Sequence, residues 1–332
     1  MFTRPADLAD DVVSATVQDA WELTIRRIDY APVGFGSYHW HAWADNDRWF
    51  VTVDDLVTGR SDLGASPTER TRRLAGALSS ARALRDEGPD FVVAPMPTAD
   101  GKILQIVEER WAVTLYPFVN GSSDQWGAYS TSADRRAVVE LLVALHESSG
   151  TARDVAMHDD FAIPHRDDLL SSLADLSTAW TEGPYGEPAR QLVDPHAARV
   201  EDRFASYNRL AAAAAGQPER MVLTHGEPHA ANTINTASGM VLIDWDTALV
   251  APRERDLWSL ALEEPASLHH YATKASVTPM PDLLELYRLR WDLTEVSLYV
   301  ALFRAPHTDT ADTRTAWNGL RHSLQALSAL PS

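Results

Sequence analysis

His225-Gly226-Glu227-Pro228-His229-Ala230-Ala231-Asn232, followed at a distance by Ile243-Asp244-Trp245-Asp246, is the part of this sequence that decides how the rest reads. A carboxylate, Glu227, and an amide, Asn232, stand five residues apart, and a second carboxylate, Asp244, follows twelve residues later. Apolar runs at 222–224 and 241–243 bracket the motif as short strands, and the span between the amide and the second acid reads as a β-hairpin. Oxygen ligands of this kind suit magnesium, and a nearby carboxylate can orient a hydroxyl and accept its proton. Those are the parts that phosphoryl transfer to an alcohol requires. A zinc site on His225, Glu227 and His229 fails, because the helical zinc pattern places Glu directly after the first His and Pro228 interrupts a helix there. Reading Asp244-Trp245-Asp246 as the metal-binding pair of a sugar-nucleotide transferase leaves the first motif unexplained.

Working outward, the spacing predicts strands over 23–30, 38–43 and 48–53, with Pro32-Val33-Gly34-Phe35-Gly36-Ser37 as a glycine loop between the first two and Asp45-Asn46-Asp47 as the following turn. Leu74, Ala77, Leu78, Ala81 and Leu84 predict a helix over 67–87, with Ser66 as N-cap and Glu69 three residues later. Further strands are expected at 91–94, 103–107 and 111–116. After the change of texture at 117–123 the chain becomes helical, over 133–148, 167–180, 195–215 and from 255 to the end. The expected fold class is therefore α+β in two lobes: residues 1–118 with an antiparallel sheet plus a helix, and residues 119–332, mainly helical, carrying the motif.

The composition agrees. The 332 residues carry 29 basic and 47 acidic side chains, a formal charge of −18 that repels a nucleic-acid backbone or an anionic membrane surface and admits a neutral or cationic small molecule more easily. Absence of cysteine excludes disulfides, thiolate metal sites and cysteine nucleophiles. Residues 1–11 lack the basic start and apolar run of a signal peptide, and no stretch approaches the roughly 18 apolar residues of a membrane span, so the expected location is cytoplasmic.

These residues resemble the aminoglycoside phosphotransferase-like family of the protein-kinase-like fold, especially spectinomycin phosphotransferase-type and related antibiotic kinases. The tight matches are the two motifs quoted above; the glycine loop, Leu145-His146 and Pro252-Arg253-Glu254-Arg255-Asp256-Leu257-Trp258 match more loosely. The resemblance implies a first lobe that binds nucleotide and a second that carries the catalytic loop and acceptor site. It implies Mg2+ and ATP or GTP as phosphoryl donor, and a hydroxyl-bearing antibiotic as acceptor: an aminocyclitol, an aminoglycoside, or a nucleoside antibiotic such as capuramycin. Glu227 stands where a catalytic base is expected, Asn232 and Asp244 where magnesium is held, and Asp246 is either a second metal ligand or structural. Gly34, Gly36 and Ser37 would cover the phosphates, and the backbone from Tyr116 to Phe118 would meet the base. His225 and Asp256 would be scaffold, the latter hydrogen-bonding the catalytic-loop backbone.

Two positions depart from the pattern. Glu227 replaces the usual Asp, moving the carboxylate by about 1.5 Å where positioning supplies most of the catalysis. Thr52 stands where a strand lysine usually grips the phosphates, with Asp54 and Asp55 beyond; Lys102, Arg72 and Arg73 are the basic residues that could compensate. His229 is a candidate acceptor contact. Trp291, Glu295 and Tyr299 fall at spacings that share one helical face, and the carboxylates of Asp292 and Glu295 are candidates to bind a substrate amine.

Overall fold

The computed structural model describes residues 1–45, 47–57, 66–148 and 150–329. The chain opens with a helix α1 (Asp10–Trp21), followed by the strands β1 (Arg27–Ala31), β2 (Tyr38–Ala44) and β3 (Asp47–Asp55) and the helix α2 (Pro67–Asp86). Strands β4 (Gln105–Val107) and β5 (Trp111–Pro117) complete an antiparallel sheet of order β1-β2-β3-β5-β4. Alternation along β2 and β3 sends Trp40, Val51 and Val53 to one face, where they join Trp111, Val113 and Leu115 beneath Val13, Val17 and Trp21 of α1. The opposite face carries Phe50, Ala112 and Tyr116, which pack with Leu74 and Leu78 of α2 and with Val241 and Ile243 from the motif region. One sheet face thus closes a core and the other faces the site.

The remainder is mainly helical: α3 (Ser132–Glu147), α4 (Thr151–Val155), α5 (Arg166–Ala174), α6 (Gly186–Val193) and α7 (Ala197–Ala215) lead to the strands β6 (Met221–Thr224), β7 (Thr233–Thr236), β8 (Gly239–Leu242) and β9 (Leu249–Pro252). Helices α8 (Trp258–Glu263), α9 (Ala266–Ala275), α10 (Pro281–Arg304) and α11 (Ala311–Ala329) follow. Buried residues of α10, including Leu286, Leu293, Val296 and Phe303, meet Val200 and Phe204 of α7 and Leu320 and Leu324 of α11 in the largest core. Among the described residues no helix is long and apolar enough to cross a membrane.

The expected α+β architecture is present, an antiparallel sheet with helices followed by a mainly helical region. Ser66 caps α2 as expected, its Oγ accepting the Glu69 N–H at 3.3 Å, although the Glu69 carboxylate turns to Arg72 and Arg73. One helix lies outside the expected elements and two local expectations are corrected. No element was expected before residue 23, yet α1 is there, built on Val13, Val17 and Trp21 at helical spacing. Residues 91–94 form no strand. They run extended beside β8, with Val93 N donating to Leu242 O at 3.0 Å and Leu242 N to Phe91 O at 2.7 Å, and so tie the first lobe to the motif. The helix expected over 167–180 ends at Ala174, where the Asp175 carboxylate takes the hydroxyls of Ser177 and Thr178 in a turn. The apolar runs flanking the motif fall in strands as expected, β6 pairing with β9 and β8 with β7. The turn residue Asn46 and the end of the last expected helix, 330–332, lie outside the described residues.

Gly319 of α11 lets α10 come close, because a Cβ there would sit 2.5 Å from the Tyr299 ring. Gly319→Ala is expected to lower stability by about 1–3 kcal/mol through overpacking, read as a reduced urea midpoint.

Candidate active site

The catalytic loop hangs from one buried carboxylate. Asp256 is fully buried and accepts the backbone N–H groups of His225 at 2.8 Å and Gly226 at 2.6 Å, while His146 Nε2 approaches the same carboxylate at 3.0 Å. Burial alone would push this carboxyl up, but the His146 hydrogen bond and the charges of His146 and Arg255 bring it below its ordinary value. His146 is oriented from behind by the Tyr271 hydroxyl, 2.7 Å from Nδ1. Gly226 has φ 104° and lies against the Arg255 guanidinium, so a Cβ there would overlap that group. Arg255 itself joins Thr224 Oγ1, at 2.9 Å, to the Thr247 carbonyl, at 2.7 Å.

His225 is scaffold, as expected. Its ring is held neutral by burial, at a pKa of about 4; Nε2–H donates to Ile243 O at 2.8 Å and Nδ1 accepts the Glu227 N–H at 3.3 Å. The expected hairpin forms from β7 and β8 and is closed by Ile243 N donating to Asn232 O at 3.0 Å, which brings Asn232 alongside Asp244. Asn232 Nδ2 donates to Glu227 O at 3.0 Å, and its Oδ1 is an acceptor oxygen. Asp244 holds φ 66°, a left-handed conformation costly for a non-glycine residue and typical of functional positions.

Asp244 and Asp246 stand close enough to each other, to Glu227 and to Asp54 for their charges to interact. Asp244 is open to solvent and Asp246 half-buried, but both stand deep among surrounding protein atoms; that desolvation, then these neighbours, pushes Asp244 up to about 6 and Asp246 well above the usual carboxylate range. Asp54 is likewise raised to about 6 by burial, while the Ser37 hydroxyl, 2.5 Å away, opposes the shift. None of the three basic residues considered as substitutes for the strand lysine is free to serve. Lys102 pairs with Asp100 at 2.7 Å on an exposed turn, Arg72 with Glu69, and Arg73 with Glu69 and Asp160. Thr52 hydrogen-bonds the buried Tyr116 phenol. Among the described residues no three His, Cys, Asp or Glu side chains gather to hold a metal alone. The set is two carboxylates and an amide oxygen, hard donors that fit a magnesium ion completed by phosphate and water.

Gly34 and Gly36 have φ 71° and 135° in the loop between β1 and β2, above this acidic cluster. At the end of β5 Pro117 has no N–H, and the Phe118 N–H donates to Arg48 O at 3.2 Å, so these two residues offer a base only carbonyl oxygens. On the other side of Glu227, His229 Nε2 lies 3.6 Å from its carboxylate, and His229 Nδ1 is buried with no hydrogen-bond partner among the described residues. Trp126, 65% exposed, meets His229 edge-on at 6.2 Å and stacks on Trp291 at 6.4 Å; Trp258 lies 5.9 Å beyond Trp291.

Trp291 thus joins the catalytic loop, whereas Asp292 and Glu295 do not join it. Asp292 is buried toward α11, bonded to Ser323 and raised to about 7 by burial. Glu295 accepts the hydroxyl of Tyr299, whose ring lies against Gly319 of α11. Trp291, Glu295 and Tyr299 keep the expected spacing along one side of the unbroken α10, with Tyr299 bonded to Glu295, while rotation of 100° per residue separates Asp292 from Trp291; of these residues only Trp291 meets the Trp126 and Trp258 rings. The sequence reading missed Trp126; an aromatic in the polar, glycine-containing stretch after β5 was its only signal.

Comparison with known proteins agrees with this geometry, the match to the phosphotransferase enzyme family running over residues 32–299. The chain belongs to that family. Protein StrN of Streptomyces griseus is 30% identical over 286 residues, covering 84% of this chain and 83% of StrN. Two structures share the fold at low identity. Spectinomycin phosphotransferase in complex with ADP and spectinomycin has a TM-score of 0.74 at 14% identity, covering 97% of this chain and 98% of that one. A microcompartment-associated aminopropanol kinase has a TM-score of 0.62 at 13% identity, over 96% and 97%. The protein-kinase-like fold and an enzyme that phosphorylates hydroxyl groups follow for this phosphotransferase.

Replacing Asp256 by Asn is expected to cost about 3 kcal/mol at neutral pH, the scale of breaking a buried charged pair. Because the folded-state pKa is depressed, this carboxylate's contribution is full above its unfolded value, about 3.9, and fades as pH falls through the folded one. Urea unfolding of both proteins should therefore converge below about pH 4.

Proposed function

We propose that this phosphotransferase moves the γ-phosphate of a magnesium-bound nucleoside triphosphate to a hydroxyl of a small-molecule antibiotic, an aminocyclitol or aminoglycoside or a nucleoside antibiotic of the capuramycin kind, and so confers resistance by inactivation. The observation that supports the reading is the Ile243 N–H to Asn232 O hydrogen bond, which closes the hairpin and brings Asn232 alongside the residue preceding Asp244. In this reading residues 1–118 bind the nucleotide and 119–332 carry the chemistry and the acceptor. Asn232 Oδ1, Asp244 and Asp246 hold Mg2+, which would neutralise the phosphates that a strand lysine grips elsewhere. Gly34, Gly36 and Ser37 cover the phosphates. The carbonyls at Tyr116 to Phe118 suit the 6-amino group of adenine, which makes ATP the favoured donor over GTP. Glu227 receives the acceptor hydroxyl and takes its proton as the bond to phosphorus forms. In a loose, dissociative transfer orienting that hydroxyl is the larger part of its work.

The acceptor lies against Trp126, Trp291 and Trp258, with the His229 ring beside Trp126. Aromatic faces and surrounding acids suit a ring-bearing or cationic alcohol. A second reading, phosphorylation of a small amino alcohol, draws on the same wall and on the shared fold of the aminopropanol kinase. Mass spectrometry after incubation with ATP, Mg2+ and a panel of both alcohol classes separates the two: a phosphate adduct on amino alcohols alone excludes the antibiotic reading, and no adduct on any member overturns both.

Asp244→Ala should reduce turnover by at least about a thousandfold, measured as phosphoryl transfer at saturating ATP. Glu227→Gln should lower kcat by about a hundredfold, with Glu227→Asp retaining more activity. An unchanged rate in Asp, Gln and Ala variants removes Glu227 from the mechanism. Trp126→Ala should raise the acceptor KM about tenfold while leaving kcat nearly unchanged, as expected when uniform binding is lost.

A further inference from the structure

The first three residues bind three separate parts of the molecule at once. The backbone N–H groups of Phe2 and Thr3 donate to the two oxygens of Asp312, at 2.8 and 2.9 Å, in the first turn of α11. The Tyr30 hydroxyl at the end of β1 donates to the carbonyls of Met1, at 2.7 Å, and Thr3, at 3.1 Å. The Met1 nitrogen reaches the glycine loop at Ser37 O, 2.5 Å away, and Val33 O, 3.3 Å away. The Phe2 ring stacks on Phe35, the residue between the two glycines, with centroids 6.4 Å apart and planes 24° from parallel. Phe35 in turn packs against the core formed by α7, α10 and α11.

Asp312 belongs to the second lobe and is only 7% exposed, although it begins a helix that otherwise has no part in the site. A buried carboxylate keeps its place when both oxygens are satisfied, and here the satisfying donors come from the other end of the chain. The glycine loop needs an outside hold more than most strand connections. With Gly34 and Gly36 both at positive φ it has little conformational stiffness of its own, and Thr52 provides no ammonium to draw a phosphate beneath it. Within the first lobe the Ser37–Asp54 hydrogen bond holds its far end.

We propose that Asp312 is a positioning residue for the nucleotide: through the strap formed by residues 1–3 it holds the glycine loop down onto the second lobe, so that nucleotide enters and leaves only when the strap lets go. The proposal rests on the glycine loop covering the donor phosphates. It makes the last helix, remote in sequence from every motif, a determinant of how long ADP stays bound. The chemistry of transfer is left to Glu227, Asn232 and Asp244.

Stopped-flow measurement with N-methylanthraniloyl-ADP and Mg2+ on the full chain tests this. Asp312→Ala should speed ADP dissociation about tenfold, the scale of losing two charge-assisted hydrogen bonds, and Phe2→Ala about threefold. Both should raise the KM for ATP and leave the acceptor KM unchanged. Asp309→Ala, on the same approach to α11 but bonded to Tyr185 and Arg314, should leave every constant at the parent value. Phe2 is 42% exposed, so its replacement tests the strap even if loss of the buried Asp312 impairs folding. Dissociation from the Phe2→Ala protein at the parent rate overturns the strap. Failure of the parent protein to bind the probe overturns instead the reading of the glycine loop as a phosphate cover.

Discussion

Every part of the candidate site refers back to the carboxylate of Asp256. By accepting the N–H groups of His225 and Gly226 it fixes the turn from which Glu227 projects, and its hydrogen bond with His146 ties that turn to α3. The arrangement is economical in one physical sense. An ionised group in a dry interior is tolerated only with several donors around it, and once those donors are catalytic-loop amides the loop cannot move without exposing an unpaired charge. Gly226 is part of the same constraint, since the Arg255 guanidinium fills the space a side chain would need. His225 extends it to Ile243, so the two halves of the motif share one frame.

The site built on this frame is rich in negative charge and poor in positive charge. Asp54, Asp244 and Asp246 are all raised above the ordinary carboxylate range, first by desolvation among surrounding protein atoms and, for Asp244 and Asp246, further by neighbouring carboxylates. Such a cluster repels an anion unless cations accompany it. The acceptor side follows different physics. Trp126, Trp258 and Trp291 offer broad faces with little rotamer entropy to lose, and the nearby acids favour a cation over an anion.

Much of this was legible before any coordinates. Asn232 and Asp244 announce themselves by spacing, because a tight hairpin converts a separation of twelve residues into adjacency. The capped helix α2 has a local signal of equal clarity, the glycine loop a looser one. Residues 91–94 show where local reading fails. An apolar extended run has no periodicity that tells a sheet strand from a segment bridging two lobes, and only its hydrogen bonds with Leu242 settle the matter. On α10 the acids at 292 and 295 have the right chemistry for a substrate amine, yet which side of a helix meets a pocket depends on its neighbours. Here α11 claims that side, and Trp291 alone turns to the site.

The sequence by itself determined the family: a carboxylate, an amide and two further acids at the spacing of the phosphotransferase motifs, with a threonine where a lysine is usual. It did so because those motifs depend on residue type and on short loops whose geometry is nearly forced. Tertiary structure alone decided which distant groups complete the site. Trp126 reaches His229 across about a hundred residues, Asp256 receives amides from another loop, and Asp312 holds the opposite end of the chain. The physical reason is that these contacts come from the packing of whole elements, whose orientation is set by the sum of many buried surfaces and not by any local pattern.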